Sequence, residues 1–460
     1  MSFPAPLSAR LSHLRNYVGS LAWDSAVQVC RYAVLTLLRN IEIGRLELDE
    51  EVAAEEAGDR DSNSRGSMPK TSLRIHKDAF WLRVALFADM GFAESYMLGE
   101  VSCPDLTAFF KLFILNRTRL SNGQTPTSSL LTTLTGLLRR ANTLATARLN
   151  VAAHYDISNA MFAAFLSPDL TYSCPIWLPI SDPKAPHDTL AAAQARKLDA
   201  FVARAHIKPD DHVLEIGAGW GSFAIHAARA TGCRVTGLTL SAEQKALAEA
   251  RVAEAGLTDR IEILLCDYRA LPMPRDEAGR ERRYDKIVSI EMLEAVGKEF
   301  LETYFRCVER MLKKEGGIAA FQCITMPETR YDAYTKSDDF IRKYIFPGGH
   351  LPTVTQLIAS AHAGSGGRLI VDSLDNIGPH YAKTLRVWGD NFAGNFDGVI
   401  KPALLREHEG MTEGDVQLFR RKWEYYFTYC EAGFATKTLG DVIFTVGREG
   451  AVEMAEDVPM

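Results

Sequence analysis

Gly217, Gly219 and Gly221, spaced G-x-G-x-G, close an apolar run from Val213 to Ile216 that one acid, Glu215, interrupts. Phe223 to Ala230 behind them has helical spacing. A buried strand, a tight turn and a helix N-terminus bring free backbone N–H groups to one point. Glycine lets the backbone approach a ligand where a Cβ would collide. Such a loop holds a nucleotide-like cofactor at the carboxyl end of a doubly wound sheet, although the same spacing also serves tight turns in other α/β domains. The next strand separates the cofactors. A nicotinamide site needs an Asp or Glu for the ribose about 20 residues on. Here the strand Cys233 to Leu238 runs into Thr239-Leu240-Ser241-Ala242-Glu243-Gln244, with no acid at its tip. A third strand, Ile261 to Tyr268, ends at Asp267, placed to meet an adenine amino group, and Tyr284 to Ile290 gives a fourth.

Glycine loop, strand, acid and strand in this order resemble a class I methyltransferase domain, a Rossmann-like doubly wound α/β sheet. That resemblance implies S-adenosylmethionine, whose ammonium and sulfonium charges suit Glu215. Other segments narrow it: His154 to Asn159, Leu170 to Cys174, the T-L-S-x-x-Q of Thr239 to Gln244, and Cys266-Asp267-Tyr268-Arg269. Glu291-Met292-Leu293-Glu294-Ala295-Val296-Gly297, Tyr344 to Gly349 and Tyr381 to Leu385 follow in order. From about His154 to Arg448 the chain resembles the cyclopropane fatty acid synthases. A weaker likeness, Ser72 to Arg117, is to the N-terminal domain of the longer, phospholipid-acting members. The expected organisation is a small α+β N-terminal domain over 1–120, a linker helix over 121–149 and a catalytic domain over 150–460.

The resemblance implies transfer of a methylene from S-adenosylmethionine to the cis double bond of a phospholipid acyl chain. An alkene is a poor nucleophile, so it must be held against the electrophilic methyl without water. Transfer leaves a carbocation, which must lose a proton to close the ring. The family's base is a bound bicarbonate. The matching cradle is Cys174 (backbone donor), Glu294, Gln322, Ile324 and Tyr381 (hydroxyl donor). Gln322 departs from the family, whose familiar bacterial members carry histidine there; an amide hydrogen-bonds an oxyanion but cannot change charge. By the same resemblance Tyr172 and Ser173 touch the methionine end of the cofactor. Gly217 and Gly219 line the adenosine side, Thr239, Leu240 and Gln244 reach the ribose, and Asp267, Tyr268 and Arg269 frame the adenine.

Each residue also has a plain structural reading. Cys174 suits a small buried hydrophobe, and Tyr381 a core tyrosine. Glu291 and Glu294 suit exposed acids at a helix start, complementing its dipole. Ser241 and Gln244 fit a capping box in which the amide reaches back to the Ser241 N–H. Three other functions stay open: a C-methyltransferase giving a methyl branch, an amine N-methyltransferase, and a lipid-binding protein with a decayed site. Cys174 with Tyr381 argues against the amine enzyme, and the intact cofactor motifs argue against the decayed site.

At 460 residues the chain exceeds a single core. A net charge of −6 argues against a nucleic-acid binder. No run of 18 apolar residues is present, so no transmembrane span is expected. Met1 to Ser20 lacks the apolar core of a secretory signal, while its Arg and Ser content leaves a transit peptide open. Eight scattered cysteines without a C-x-x-C give no metal clip or disulfide framework. A reduced, cytoplasmic protein meeting its membrane substrate peripherally is the expectation.

In the N-terminal region the pattern predicts a helix over Val27 to Leu38, a strand over Ile41 to Leu48, and a mobile loop over Asp49 to Thr71. A strand over Leu73 to His76 and helices over Asp78 to Ala88 and Thr107 to Ile114 follow. The linker starts at Ser121 to Ser129. Arg139, Arg140 and Arg148 on the helix Leu130 to Arg148 suit either a solvated face or anionic headgroups. This region is expected to set the catalytic domain on a bilayer, with homodimer contacts. Further helices are expected over Gln194 to Ala205, Leu351 to Ala363 and Gly414 to Ala432, and late strands over Leu369 to Val371 and Val442 to Val446. The aromatic run Trp423, Tyr425, Tyr426, Phe427 and Tyr429 suits core packing better than an acyl channel.

Overall fold

The computed structural model describes residues 20–50, 53–58, 68–122, 158–275, 278–336 and 338–455. The segment 154–157, most of the expected linker and its helix with Arg139, Arg140 and Arg148 lie outside the described residues. Two compact units are present. One gathers the described parts of Met1–Asp156 with Asp339–Ile345 and Phe396–Thr436; the other gathers Ile157–Asp338, Phe346–Asn395 and Lys437–Met460.

The first unit carries a four-stranded sheet in the order β2-β1-β3-β4, built from β1 (Arg45–Glu50), β2 (Ala53–Gly58), β3 (Lys70–Ile75) and β4 (Val101–Ser102). β2 lies inside the stretch expected to be a mobile loop. Its sequence, AAEEAG, has no β-branched or aromatic residue, yet it pairs antiparallel with β1 over its whole length. A waiting partner edge decides the strand here, rather than propensity. The helix Ala79–Met97 breaks at Ala88 (φ 49, ψ −122), where the expected helix ended.

Residues 396–436 were expected in the catalytic domain, and the structure assigns them to this first unit instead. The reason is aromatic packing. On helix Glu413–Ala435, Tyr425 meets Phe110 edge-on at 5.0 Å and Phe340 at 4.4 Å, and stacks with Tyr429 at 5.9 Å. Trp423, Tyr425, Tyr426 and Phe427 are buried and Tyr429 is half-buried, so the run is core packing. Polar contacts tie in the short segment Asp339–Ile345: Glu94 accepts from Lys343 at 2.9 Å and from the Tyr344 hydroxyl at 2.8 Å.

The second unit holds a seven-stranded sheet in the order β10-β11-β9-β8-β5-β6-β7. Its strands are β5 (His212–Ile216), β6 (Arg234–Thr239), β7 (Ile261–Leu265), β8 (Lys286–Ile290), β9 (Ile318–Thr325), β10 (Ile370–Asn376) and β11 (Gly440–Gly447). β5 to β9 pair in parallel, and β11 runs antiparallel between β9 and β10. This is the doubly wound class I methyltransferase sheet. β9 was not foreseen as a strand. Chain order reverses between β8 and β5, which opens a crevice at their carboxyl ends, the place where such sheets bind ligands. Helices Leu301–Met311 and Val354–Ser365 pack closely at Gly364, where a Cβ would lie 2.4 Å from the Glu302 carbonyl. Phe321 of β9 stacks on Phe444 of β11 at 4.9 Å, with Phe305 edge-on at 5.5 Å. Helix and sheet thus share one core, and the strand tips are held rigidly.

Candidate active site

The glycine loop leaves β5 with Gly217, Gly219 and Gly221 all at positive φ (93, 52 and 80°). Gly217 is needed for packing, because a Cβ there would meet Met292 at 3.0 Å. A Cβ on Gly219 would meet nothing within 4 Å, so the loop is open on that side. Glu215 is buried, and its Oε2 has no hydrogen-bond partner among the described residues. Burial pushes its carboxyl up to about 8, against the pull of Lys197 and the Ala224 N–H. An orphaned buried carboxyl beside an open glycine loop fits a cationic cofactor, which would supply the missing partner.

At the tip of β6, the Thr239 hydroxyl donates to Gln244 Oε1 at 2.8 Å. Ser241 caps the following helix by accepting from the Gln244 N–H, but the amide side chain does not return to Ser241. The expected capping box is therefore only half formed. Its second half is replaced by the Thr239 hydroxyl, which itself accepts from the Ser241 N–H at 3.2 Å. Leu240 is exposed. Beyond β7, Asp267 accepts from the Arg269 N–H at 2.8 Å and pairs with its guanidinium. These bonds hold the Asp267 carboxyl below its ordinary value, hydrogen bonding from Arg269 leading. The guanidinium lies over the rings of Tyr268 and Phe300.

The second group converges on the tip of β8. Ser173 is pinned by Lys197 Nζ on its hydroxyl (2.7 Å) and by Gln194 Nε2 on its carbonyl (2.8 Å); Lys197 and Gln194 are fully buried. Tyr172 packs between Phe162 (5.1 Å) and Trp388 (5.2 Å). The Cys174 N–H donates to Oε1 of Glu291 at 2.8 Å. Gln322 Nε2 donates to the same oxygen at 2.7 Å, and the Tyr381 hydroxyl donates to Oε2 at 2.7 Å. The thiol of Cys174 is buried and pushed far up by burial, so it is no nucleophile.

Two further carboxyls flank Glu291. Asp441 Oδ2 accepts from Gln322 Nε2 at 2.7 Å, and the Ile324 N–H donates to Glu294 Oε1 at 2.5 Å. Glu294 Oε2 and Asp441 Oδ1 have no hydrogen-bond partner among the described residues. Burial, then the charge of Glu291, pushes Glu294 up to about 8 and Asp441 far above its ordinary value. Burial raises Glu291 too, while Cys174, Tyr381 and Lys197 pull it back. Like charges this close do not all ionise. The donors single out Glu291 as the carboxyl that carries the charge.

Gln322 has a clear role here. An amide donates two hydrogens, and this one serves two carboxyls at once, where a histidine nitrogen would serve one. The site also bears on the bicarbonate implied by the resemblance. Three of its expected donors, on Cys174, Gln322 and Tyr381, already hold Glu291, and a fourth, the Ile324 N–H, holds Glu294. The residues present do not fit the ion.

A family model for mycolic acid cyclopropane synthetases matches residues 142–443. The tuberculostearic acid methyltransferase UfaA1 of Mycobacterium tuberculosis is 41% identical over 82% of this chain and 84% of its own. The cyclopropane-fatty-acyl-phospholipid synthase of Escherichia coli is 32% identical over 85% of this chain and 91% of its own. This chain belongs to the mycolic acid cyclopropane synthetase family. A solved family structure, cyclopropane synthase CmaA1 complexed with SAH and CTAB, is 27% identical, with a TM-score of 0.53 over 65% of this chain and 98% of its own. Coclaurine N-methyltransferase is similar in fold alone, at 21% identity and a TM-score of 0.57. Membership makes this chain an S-adenosylmethionine-dependent methyltransferase of the lipid-modifying kind.

Within this family member, sequence reasoning placed Glu291 on a helix surface and passed over Asp441, Lys197 and Gln194. Glu291 has φ 48, and its N–H donates to the Gln322 carbonyl. That turn points it away from the expected exposed position at a helix start. Asp441 had a legible signal, as an acid near the start of the mostly apolar strand β11.

Proposed function

We propose that this chain alkylates the cis double bond of an unsaturated phospholipid acyl chain and closes a cyclopropane ring across it. The observation that carries the reading is the anionic centre at the tip of β8, where Cys174, Gln322 and Tyr381 surround a carboxylate instead of an activated nucleophile. An alkene needs no deprotonation before it attacks. The cation it becomes does need a facing negative charge and somewhere to leave a proton.

Glu215, Gly217, Gly219, Thr239, Gln244 and Asp267 are the residues that would hold S-adenosylmethionine. When bound, it supplies an electrophilic methyl, the sulfur keeping the bond pair. Lys197 and Gln194 fix Ser173 and hence the Cys174 N–H, so the donors are organised before substrate arrives. A double bond buried in a bilayer requires contact with the membrane, and no described helix is long and apolar enough to cross one; the contact we propose is peripheral, on the cytoplasmic face. The first unit would orient that contact, with a homodimer as the working assembly.

The 41% identity to a tuberculostearic acid methyltransferase favours a second reading on the same site, in which the product is branched. Both products need the same cation and the same proton acceptor. Ring closure and a methylene-branched alkene are both redox-neutral; only later saturation of the branch needs a further hydride donor, so a saturated branch is not a complete product of this site. Incubation with S-adenosylmethionine and oleoyl phospholipid vesicles, followed by mass spectrometry of the acyl chains, tests the proposal. The expected product gains one CH2 and resists ozonolysis. A gained CH2 that ozonolysis cleaves supports the branched route, and unaltered chains would refute both.

A further inference from the structure

We infer that Glu291 is the built-in general base of this enzyme, its carboxylate standing in the anion site where the resemblance implies bicarbonate. The inference rests on the lipid alkylation proposed above.

Three independent observations converge on it. Glu291 accepts from the Cys174 N–H, Gln322 Nε2 and the Tyr381 hydroxyl at 2.8, 2.7 and 2.7 Å, the very donors expected to hold the ion. Its backbone is left-handed, with φ 48, a conformation that strains a non-glycine residue. Glycine would adopt it freely, so the fold carries this strain to bring a carboxylate inward. Lastly, the neighbouring Glu294 occupies the Ile324 N–H, so none of the four expected donors is left for a second anion.

The chemistry balances. Once the methyl has joined one alkene carbon, the other is cationic. A C–H bond of the new methyl breaks, its pair forms the last ring bond to the cationic carbon, and the proton passes to the Glu291 carboxylate. From there it leaves to water as product departs. Three hydrogen bonds on the carboxylate temper its nucleophilicity, so it takes a proton without competing for the methyl. A tethered base also frees turnover from dissolved carbon dioxide.

The test uses the full-length protein, S-adenosylmethionine and unsaturated phospholipid vesicles in carbon-dioxide-free buffer, with and without added bicarbonate. Wild-type turnover should be unchanged by bicarbonate. Glu291→Gln should lose about 100-fold or more in turnover, with S-adenosylmethionine affinity by calorimetry unchanged. Glu291→Gly accommodates the positive φ and vacates the donors, so it should be inactive alone and recover with bicarbonate. NMR of isotope-labelled bicarbonate should show binding to Glu291→Gly and none to the wild type, whether or not lipid is turned over. A wild type that needs or binds bicarbonate, or a Glu291→Gln protein with full turnover, would overturn the inference. Should Glu291→Gly fail to fold, the wild-type titration and the glutamine variant still decide. A wild type that alkylates no lipid in either buffer refutes the proposed function instead, and the NMR titration still decides the anion site.

Discussion

The Tyr381 hydroxyl donates to Oε2 of Glu291 at 2.7 Å, joining helix Gly378–Asn395 to the tip of β8. The residues lie 90 positions apart, and their meeting fixes the orientation of the one carboxyl that the surrounding donors keep charged. Tyr381 is itself buried, so water does not replace its proton when it is removed.

Tyr381→Phe should therefore lower turnover while leaving cofactor affinity intact. A hydrogen bond to a charged group contributes about 1.5–3 kcal/mol, equivalent to roughly 10- to 100-fold in rate. Steady-state kinetics with calorimetric S-adenosylmethionine binding checks both halves. Loss of cofactor affinity would place Tyr381 in the wrong pocket.

The two loop glycines should fail in different ways. Gly217→Ala sets a Cβ 3.0 Å from Met292 at φ 93, so thermal unfolding should show a clear loss of stability. Gly219 faces open space at φ 52, and a β-branched residue there carries left-handed strain of roughly 1–2 kcal/mol on the ligand side. Gly219→Val should stay folded and lose S-adenosylmethionine binding. Normal affinity in that variant would remove the loop from the cofactor site.

Cofactor binding should depend on pH through Glu215. Burial raises its carboxyl from 4.5 to about 8, so without cofactor it is protonated at neutral pH. A bound cation favours the ionised form, so binding releases a proton and affinity should rise with pH until about 8. Calorimetry in buffers of different ionisation enthalpy measures that proton, and Glu215→Gln should abolish the release. Stability of the free protein runs the opposite way. Glu215 and Glu294 both hold their protons more tightly folded than unfolded. Their contribution is complete below about 4.5 and is lost as pH rises through about 8.

Tyr425→Ala should destabilise the protein by about 3–5 kcal/mol, the range for emptying a buried aromatic site, read from denaturant unfolding. Its contacts with Phe110, Phe340 and Tyr429 are core contacts. The acyl-chain preference of the remaining folded enzyme should stay as it was. A changed preference at unchanged stability would return this residue to an acyl channel.

What the sequence alone determined is whatever depends on local period and spacing. β5 to β8, the positive-φ glycine turn and the acids Glu215 and Asp267 at strand tips were legible because each signal lies within a few residues of the chain. Helix Leu190–Arg204, legible from Gln194 onward, and the aromatic stripe of helix Glu413–Ala435 were readable for the same reason. The tertiary structure decided everything that depends on which strand lies beside which. β11 runs antiparallel to β9, and its register sets Asp441 opposite Ile324, so an acid at the start of one strand joins a site at the end of another. β2 forms because β1 offers it an edge, and residues 396–436 join the first unit because Tyr425 finds Phe110 there. Glu291 and Glu294 look alike in the sequence, two acids after a strand. One left-handed residue at the strand tip turns Glu291 into the donors of Cys174, Gln322 and Tyr381. A backbone dihedral of that sign has no pattern in a single sequence; the packing around it imposes it.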